Sequence, residues 1–416
     1  MPKAATMKLL VIGFVWPEPT ATAAGTRMLQ LLNCFIAEGY QITFSSTATK
    51  TPYNLDLETM GIATRTIVLN DSDFDGFIKE LDPQMVLFDR FLTEEQFGWR
   101  VAEQLPNAIR VLDTEDLHSL RYTREKALKM SKNFTIKDWL ENDRTKREIA
   151  SIYRSDCSLM ISTYEMELLE KHIGVPKNIV VHIPFLVEEV VSKDWKNFED
   201  RTAFICIGNG KHAPNVDAVL WLKKDIWPFI RKLLPEANIH IYGAYLPEQL
   251  LQLHKPTIGF HVMGRAKTVE EVMGKARVNL APLRFGAGIK GKLLEGMRAG
   301  TPSVTTAIGA EGMQGDFPWN GIVTDEAEAF AKAAVHLYQE RTAWLGAQQN
   351  GIRILENIYN GQTVKERLRS TIKTIQTDVQ SHRVRNFVGS MLQQQQMAST
   401  KYMSKWIEEK NKSLQK

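Results

Sequence analysis

Short apolar runs and amphipathic stretches alternate along almost the whole chain. In the first half the apolar runs fall at residues 8–15, 41–45, 64–69, 85–89, 109–113, 159–162 and 179–183. In the second half they fall at 203–208, 238–243, 259–263, 278–283, 303–306 and 321–324. Runs this short, bounded by turn residues, predict strands buried on both faces of a parallel sheet. Between them, apolar residues at helical spacing predict helices, notably 25–38, 94–105 and a long one within 117–153. Regular alternation of strand and helix is the signature of parallel α/β sheets, and it occurs here as two successive sets. The pattern lapses near residues 184–200, where charges and Trp195 replace it. Two Rossmann-like domains facing across a cleft are therefore expected, at residues 1–186 and 187–378. Amphipathic helices at 327–339, 341–359 and 363–381 follow the last strand. A basic helical extension over 379–416 is expected to pack on the first domain.

The segment 278–313 carries the most chemistry. It reads VNLAPLRFGAGIKGKLLEGMRAGTPSVTTAIGAEGM: a strand, a glycine-rich turn, a helix over 292–299, a stop at Gly300 and Pro302, and a second strand. Gly286, Gly288, Ile289 and Lys290 make the turn. Free N–H groups and the positive end of the helix dipole meet there, and Lys290 and Lys292 add full charge. This arrangement predicts an anion site, most simply for phosphate. Leu293, Leu294 and Met297 share the face expected to pack on the sheet, leaving Lys292 and Glu295 on the other. Glu295 lies ~5 Å beyond the phosphate position, within reach of a ribose. An exposed Lys292–Glu295 pair is the plainer alternative. The turn also fits G-x-G-x-x-G, with Glu311 about twenty residues on, as in nicotinamide-dinucleotide folds. Context disfavours that match: several strand–helix units precede the turn, and Glu311 lies in a loop rather than at a strand end.

The block PLRFGAGIKGKLLEGMRAGTPSVTTAIGAEGM resembles the donor-binding segment of GT-B-fold glycosyltransferases of the large retaining family four. The resemblance implies α/β architecture of the GT-B type, with C-terminal helices crossing back to the first domain. It implies that Glu295 holds the donor ribose and that Lys290, Lys292 and the helix N-terminus hold the diphosphate. That family often has a second Glu eight residues earlier, recognising the sugar, where this chain has Ala287. Glu311 or backbone groups are then left to read the sugar. By the same resemblance, Lys211 in the loop after the strand at 203–208 approaches the diphosphate, and Arg265 lies near the base. Gly25, after the first strand, allows close approach to the phosphates or the acceptor. His118 lies by the acceptor, orienting or deprotonating its hydroxyl. Plainer roles compete for several of these: helix capping by Asn215 with Lys211 in solvent, an ordinary first-turn residue for Arg27, and a surface helix start for 113–116.

Composition changes this picture little. At 416 residues, about two ordinary domains fit, and 44% hydrophobic with 24% charged residues is usual for a globular chain. A net charge of +4 gives no argument for nucleic acid. Cys34, Cys157 and Cys206 are scattered among apolar residues, as reduced thiols in a cytoplasmic protein would be. The first apolar run is too short to span a membrane and shows no signal-peptide cleavage pattern. The histidines show no zinc-like spacing, and the D-x-D at Asp71 and Asp73 is explained by Asp73 or Asp75 capping a helix, so no metal is expected. No cofactor is expected beyond the donor itself. Past His382 the tail is basic and contains Tyr402 and Trp406, which suits either a docked helix or a peripheral membrane contact.

The expected activity is transfer of a sugar from a nucleotide-diphosphate sugar, UDP- or GDP-linked, to a hydroxyl on a sugar or lipid-linked saccharide. The setting is cell-surface polysaccharide or lipopolysaccharide synthesis, with retention and no metal. The rivals are a non-catalytic nucleotide-sugar-binding scaffold and a GT-B-fold sugar-nucleotide epimerase.

Overall fold

The computed structural model describes residues 7–188 and 195–414. Residues 1–6, the stretch 189–194 within the expected division, and Gln415 and Lys416 of the basic tail lie outside the described residues.

The first sheet contains β1 (Lys8–Gly13), β2 (Gln41–Ser46), β3 (Ala63–Thr66), β4 (Met85–Asp89), β5 (Ile109–Asp113), β6 (Cys157–Met160) and β7 (Val180–His182). The second contains β8 (Thr202–Ile207), β9 (Ile239–Tyr242), β10 (Phe260–Gly264), β11 (Ala276–Ala281), β12 (Ser303–Thr305) and β13 (Gly321–Val323). Their orders are β3-β2-β1-β4-β5-β6-β7 and β10-β9-β8-β11-β12-β13. Every pairing is parallel, with Leu9 opposite Met85 and Ala276 opposite Thr202 at the two central pairs. Both sheets therefore reverse direction of growth at one point, between β1 and β4 and between β8 and β11. Ligands of open α/β sheets sit at that crevice, beyond the strands' carboxyl ends.

Continuous apolar strands follow from burial on both faces. In β1, Leu9 and Val11 enter one core, while Leu10 and Ile12 enter the other. In β8, Phe204 and Cys206 join the main core of the second domain, and Ile205 packs on the opposite face. The chain crosses between domains at Val187 and Asn360, which form a bridge. Helix Gly361–Thr377 then places Val364, Leu368, Ile372 and Ile375 in the first domain's core. The return thus begins inside the span expected for the second domain. The expected helix 363–381 is broken at Asp378, whose side chain accepts the Ser381 N–H and starts helix Val379–Arg385. Helix Phe387–Leu414 closes the chain against helices Arg90–Gln104 and Asp143–Arg154 of the first domain. Among the described residues, no helix is long and apolar enough to cross a membrane.

Candidate active site

The glycine turn lies immediately after β11, at the second sheet's point of reversal. Helix Gly291–Arg298 begins there, with Leu293, Leu294 and Met297 buried as its sequence predicts. Lys292 extends across the reversal to the loop after β8, where its ammonium donates to Asn215 Oδ1 at 2.6 Å. It also crowds Gly208, where an added Cβ would lie 2.9 Å from the Lys292 nitrogen. Burial lowers the Lys292 pKa from its usual value. The helix start also touches the first domain: a Cβ on Gly291 would meet the Ala23 Cβ at 2.7 Å. Ala23 opens helix Ala23–Ala37, so two helix N-termini converge. Two positive dipole ends and an ammonium held this close favour an anion between them.

The first domain also grips the glycine turn. Arg124 donates to the Gly286 carbonyl at 2.9 Å and forms a two-pronged pair with Glu311 at 2.7 and 2.8 Å. Glu165 Oε1 accepts the Gly288 N–H at 2.8 Å and the Leu117 N–H at 3.0 Å. Gly288 has φ +62°, and a Cβ there would strike the Asp116 Cβ at 2.7 Å, so both backbone sign and space call for glycine. Ala287 packs against the first domain's core. Lys290 curls back to donate to the Gly288 carbonyl at 2.6 Å. Its burial lowers its pKa, against the opposing pull of Glu311. Burial raises the Glu165 pKa, and the Asp116 charge adds to this.

The opposite wall comes from β4 and β5. Arg90 follows β4 with φ +72°, its guanidinium 5.0 Å from the centre of the Phe14 ring and 3.5 Å from Asp89. After β5, Glu115 is buried with its pKa raised, first by burial and then by Asp113. Its Oε1 makes no hydrogen bond. His118 Nε2 lies 3.3 Å from Asp116, which also pairs with Arg121. Burial drives the His118 pKa down to about 3, so its imidazole is neutral at ordinary pH. A neutral ring can orient a hydroxyl, but a base this weak takes a proton poorly near neutrality. The rim is closed by three contacts to the loop after β1: Asn209 to the Ala21 carbonyl at 3.2 Å, Arg265 to Thr20 at 3.0 Å and Tyr245 to Glu18 at 3.1 Å.

The expected residues divide by surroundings. Lys290, Lys292, Gly286, Gly288, Glu311 and His118 line the meeting of the two domains. Ile289 is buried with Leu293 and Leu294 beneath the turn. Glu295 is partly exposed and pairs with Arg298 at 2.9 Å, not with Lys292. Lys211 lies over the Tyr245 ring at 3.7 Å, and Arg265 over Tyr53 at 4.5 Å, both at the rim. Gly25 is required by the Glu18 backbone, which an added Cβ would meet at 2.4 Å. Arg27 is fully buried against Asp113 at 2.8 Å, pinning its helix to β5. The helix after the D-x-D starts earlier than expected, at Asp73, so neither Asp73 nor Asp75 is its cap. Asp71 instead accepts the Asp73 N–H, and Asp75 pairs with Arg100 at 2.8 Å. Sequence reading missed Arg90, Arg124 and Glu165. Arg90 stands directly after a strand and was findable by position. Arg124 and Glu165 lie within helices, where nothing in the local pattern distinguishes them.

Residues 201–340 match the family model described as Glycosyl transferases group 1. No curated protein sequence matches the chain. Among solved structures, sucrose-phosphate synthase from Thermosynechococcus elongatus superposes with TM-score 0.66 at 14% identity, covering 89% of this chain and 99% of that one. Anabaena HepE, solved with UDP-glucose, gives TM-score 0.67 at 11% identity over 88% of this chain and 100% of that one. WaaG, a glycosyltransferase involved in lipopolysaccharide biosynthesis, gives 0.59 at 11% over 86% and 98%. At these identities the likeness establishes the fold, which is GT-B. Architecture and the match over residues 201–340, which fall in the second of the two Rossmann-like halves, together point to a glycosyltransferase.

Proposed function

We propose that the second domain holds a nucleotide-diphosphate sugar and that the first presents a hydroxyl acceptor to it. The observation that carries this is the convergence of two helix N-termini at Gly291 and Ala23, with Lys292 beside them. Diphosphate at that point satisfies both dipoles and the ammonium. Glu295, one turn along the helix, then accepts the ribose hydroxyls in place of Arg298. As the sugar–phosphate bond breaks, its electron pair passes to the leaving diphosphate, and these fixed positive groups stabilise the growing charge. Positive charge supplied by the chain itself supports a metal-independent reaction. His118 orients the acceptor hydroxyl. With Ala287 turned into the first domain, Glu311 and the backbone of the turn are left to read the sugar.

The fold neighbours favour a UDP-linked donor, since HepE was solved with UDP-glucose. WaaG is involved in lipopolysaccharide biosynthesis, in line with a saccharide acceptor in cell-surface polysaccharide synthesis. A lipid-linked acceptor, retention at the transferred carbon and a peripheral membrane contact complete the proposed reading. The test is incubation with a panel of UDP- and GDP-sugars and saccharide acceptors in EDTA. Release of nucleoside diphosphate together with an α-linked product from an α-donor is expected. An epimerised sugar with no transfer product points instead to the epimerase. Nucleotide binding without turnover on any donor, unaltered by added Mg²⁺, points to the scaffold.

A further inference from the structure

We infer that the outward face of the last helix, from Phe387 to Trp406, docks this protein on an anionic lipid surface. This deepens the membrane contact of the proposed reading and stands apart from the donor site.

The inner face of the helix is already used. Ser404 is buried, and Gln393 donates to the Arg154 carbonyl at 3.0 Å. Lys401 pairs with Glu103 at 2.8 Å, and Glu408 pairs with Arg100. The solvent-facing side mixes polar residues, among them Gln394, Ser399 and Glu409, with large apolar and aromatic ones. Phe387 is 74% exposed, Tyr402 70%, and Met403 and Trp406 60% each. At 100° per residue, Phe387, Met391, Tyr402 and Trp406 fall within an arc of about 100° along ~29 Å of helix. Val384, on the preceding short helix, is also exposed. Large side chains left in water at this density mark an interaction surface rather than an ordinary helix exterior.

Charge selects the occupant. Lys405 and Lys412 border the stripe on one side and Lys410 on the other, with Lys410 5.3 Å from the Trp406 ring centre. The two glutamates of this turn are spent: Glu408 on Arg100 and Glu409 on Lys412 at 3.2 Å. Lys405 and Lys410 are left as surplus cations beside Tyr and Trp, side chains with an apolar body and a polar tip. A helix lying in the interface of an anionic bilayer places aromatic and methionine groups at the acyl boundary and lysines among the headgroups.

The test is co-sedimentation of the full chain with vesicles of phosphatidylcholine alone or mixed with phosphatidylglycerol. Binding only to the anionic vesicles, weakening with salt, is expected. Changing Tyr402, Met403 and Trp406 together to Ser should lower partitioning at least about tenfold, and Lys405→Gln with Lys410→Gln about fivefold per lysine. UDP binding should be unchanged in both variants, which separates this claim from the donor site. Absence of wild-type binding to anionic vesicles overturns the inference, as does full binding by either variant. A wild-type dimer that the triple variant converts to monomer overturns it too, because a second copy then covers the face.

Discussion

Single side chains at the domain junction set a direction for pH dependence. Burial lowers the pKa of Lys290 and Lys292, so both lose their charge at a pH below the ordinary lysine value of 10.5. Burial raises the pKa of Glu115 and Glu165, so both gain negative charge above the ordinary 4.5. Both changes act against a bound diphosphate as pH rises. His118, with its pKa near 3, contributes nothing around its ordinary value of 6.5. Nucleoside-diphosphate affinity should therefore fall steadily between about pH 6 and 9, with no step assignable to His118. Calorimetric titration across that range checks this, and an affinity that rises with pH would contradict it. The shape of Lys290 matters as well. Its ammonium is turned back to the Gly288 carbonyl, whereas Lys292 reaches the loop after β8. Lys292→Ala should therefore weaken nucleotide binding more than Lys290→Ala.

Between elements, the buried Arg27–Asp113 pair joins helix Ala23–Ala37 to β5, with neither side chain exposed. Arg27 also donates to the Pro184 carbonyl at 3.2 Å. Arg27→Met strands a buried carboxylate and should cost about 3–5 kcal/mol, read as a lower urea midpoint. An unchanged midpoint would mean that the pair is not what fixes the helix. Arg27 also shows what sequence conveys and what it does not. Strands such as β4 and β5 are legible because a core on both faces forces continuous apolar runs. The glycine turn is legible because Gly288 must adopt a positive φ beside Asp116. Strand ends drift by a residue or two, as at β11, because the apolar run continues into the turn. Arg27, Arg124 and Glu165 are not legible, since their partners Asp113, Glu311 and Gly288 lie 86, 187 and 123 residues away. No local pattern encodes such pairings. The break at Asp378 was missed because helical periodicity runs on through a residue that starts a new helix.

Across the whole molecule, the two halves are fastened at the glycine turn by Arg124–Glu311 and Glu165–Gly288, and at the rim by Tyr245–Glu18. On the proposed function, this closure would exclude water from the site and would have to be reversed to release product. Arg124→Met should shift the free protein toward an open form with a larger radius of gyration by small-angle scattering. Turnover should drop while nucleotide binding by the second domain persists. An unchanged radius would show that the clasp does not hold the domains together. The central claim remains that the second domain holds a nucleotide diphosphate at the start of helix Gly291–Arg298, with Glu295 on the ribose. Calorimetry with UDP and GDP in EDTA, on the wild type, Glu295→Ala and Lys292→Ala, tests it most directly. The account predicts metal-free binding of one nucleotide, weakened about tenfold or more in each variant, since a charge-assisted bond contributes about 1.5–3 kcal/mol. Binding of neither nucleotide by the folded wild type, or full binding by both variants, would contradict it.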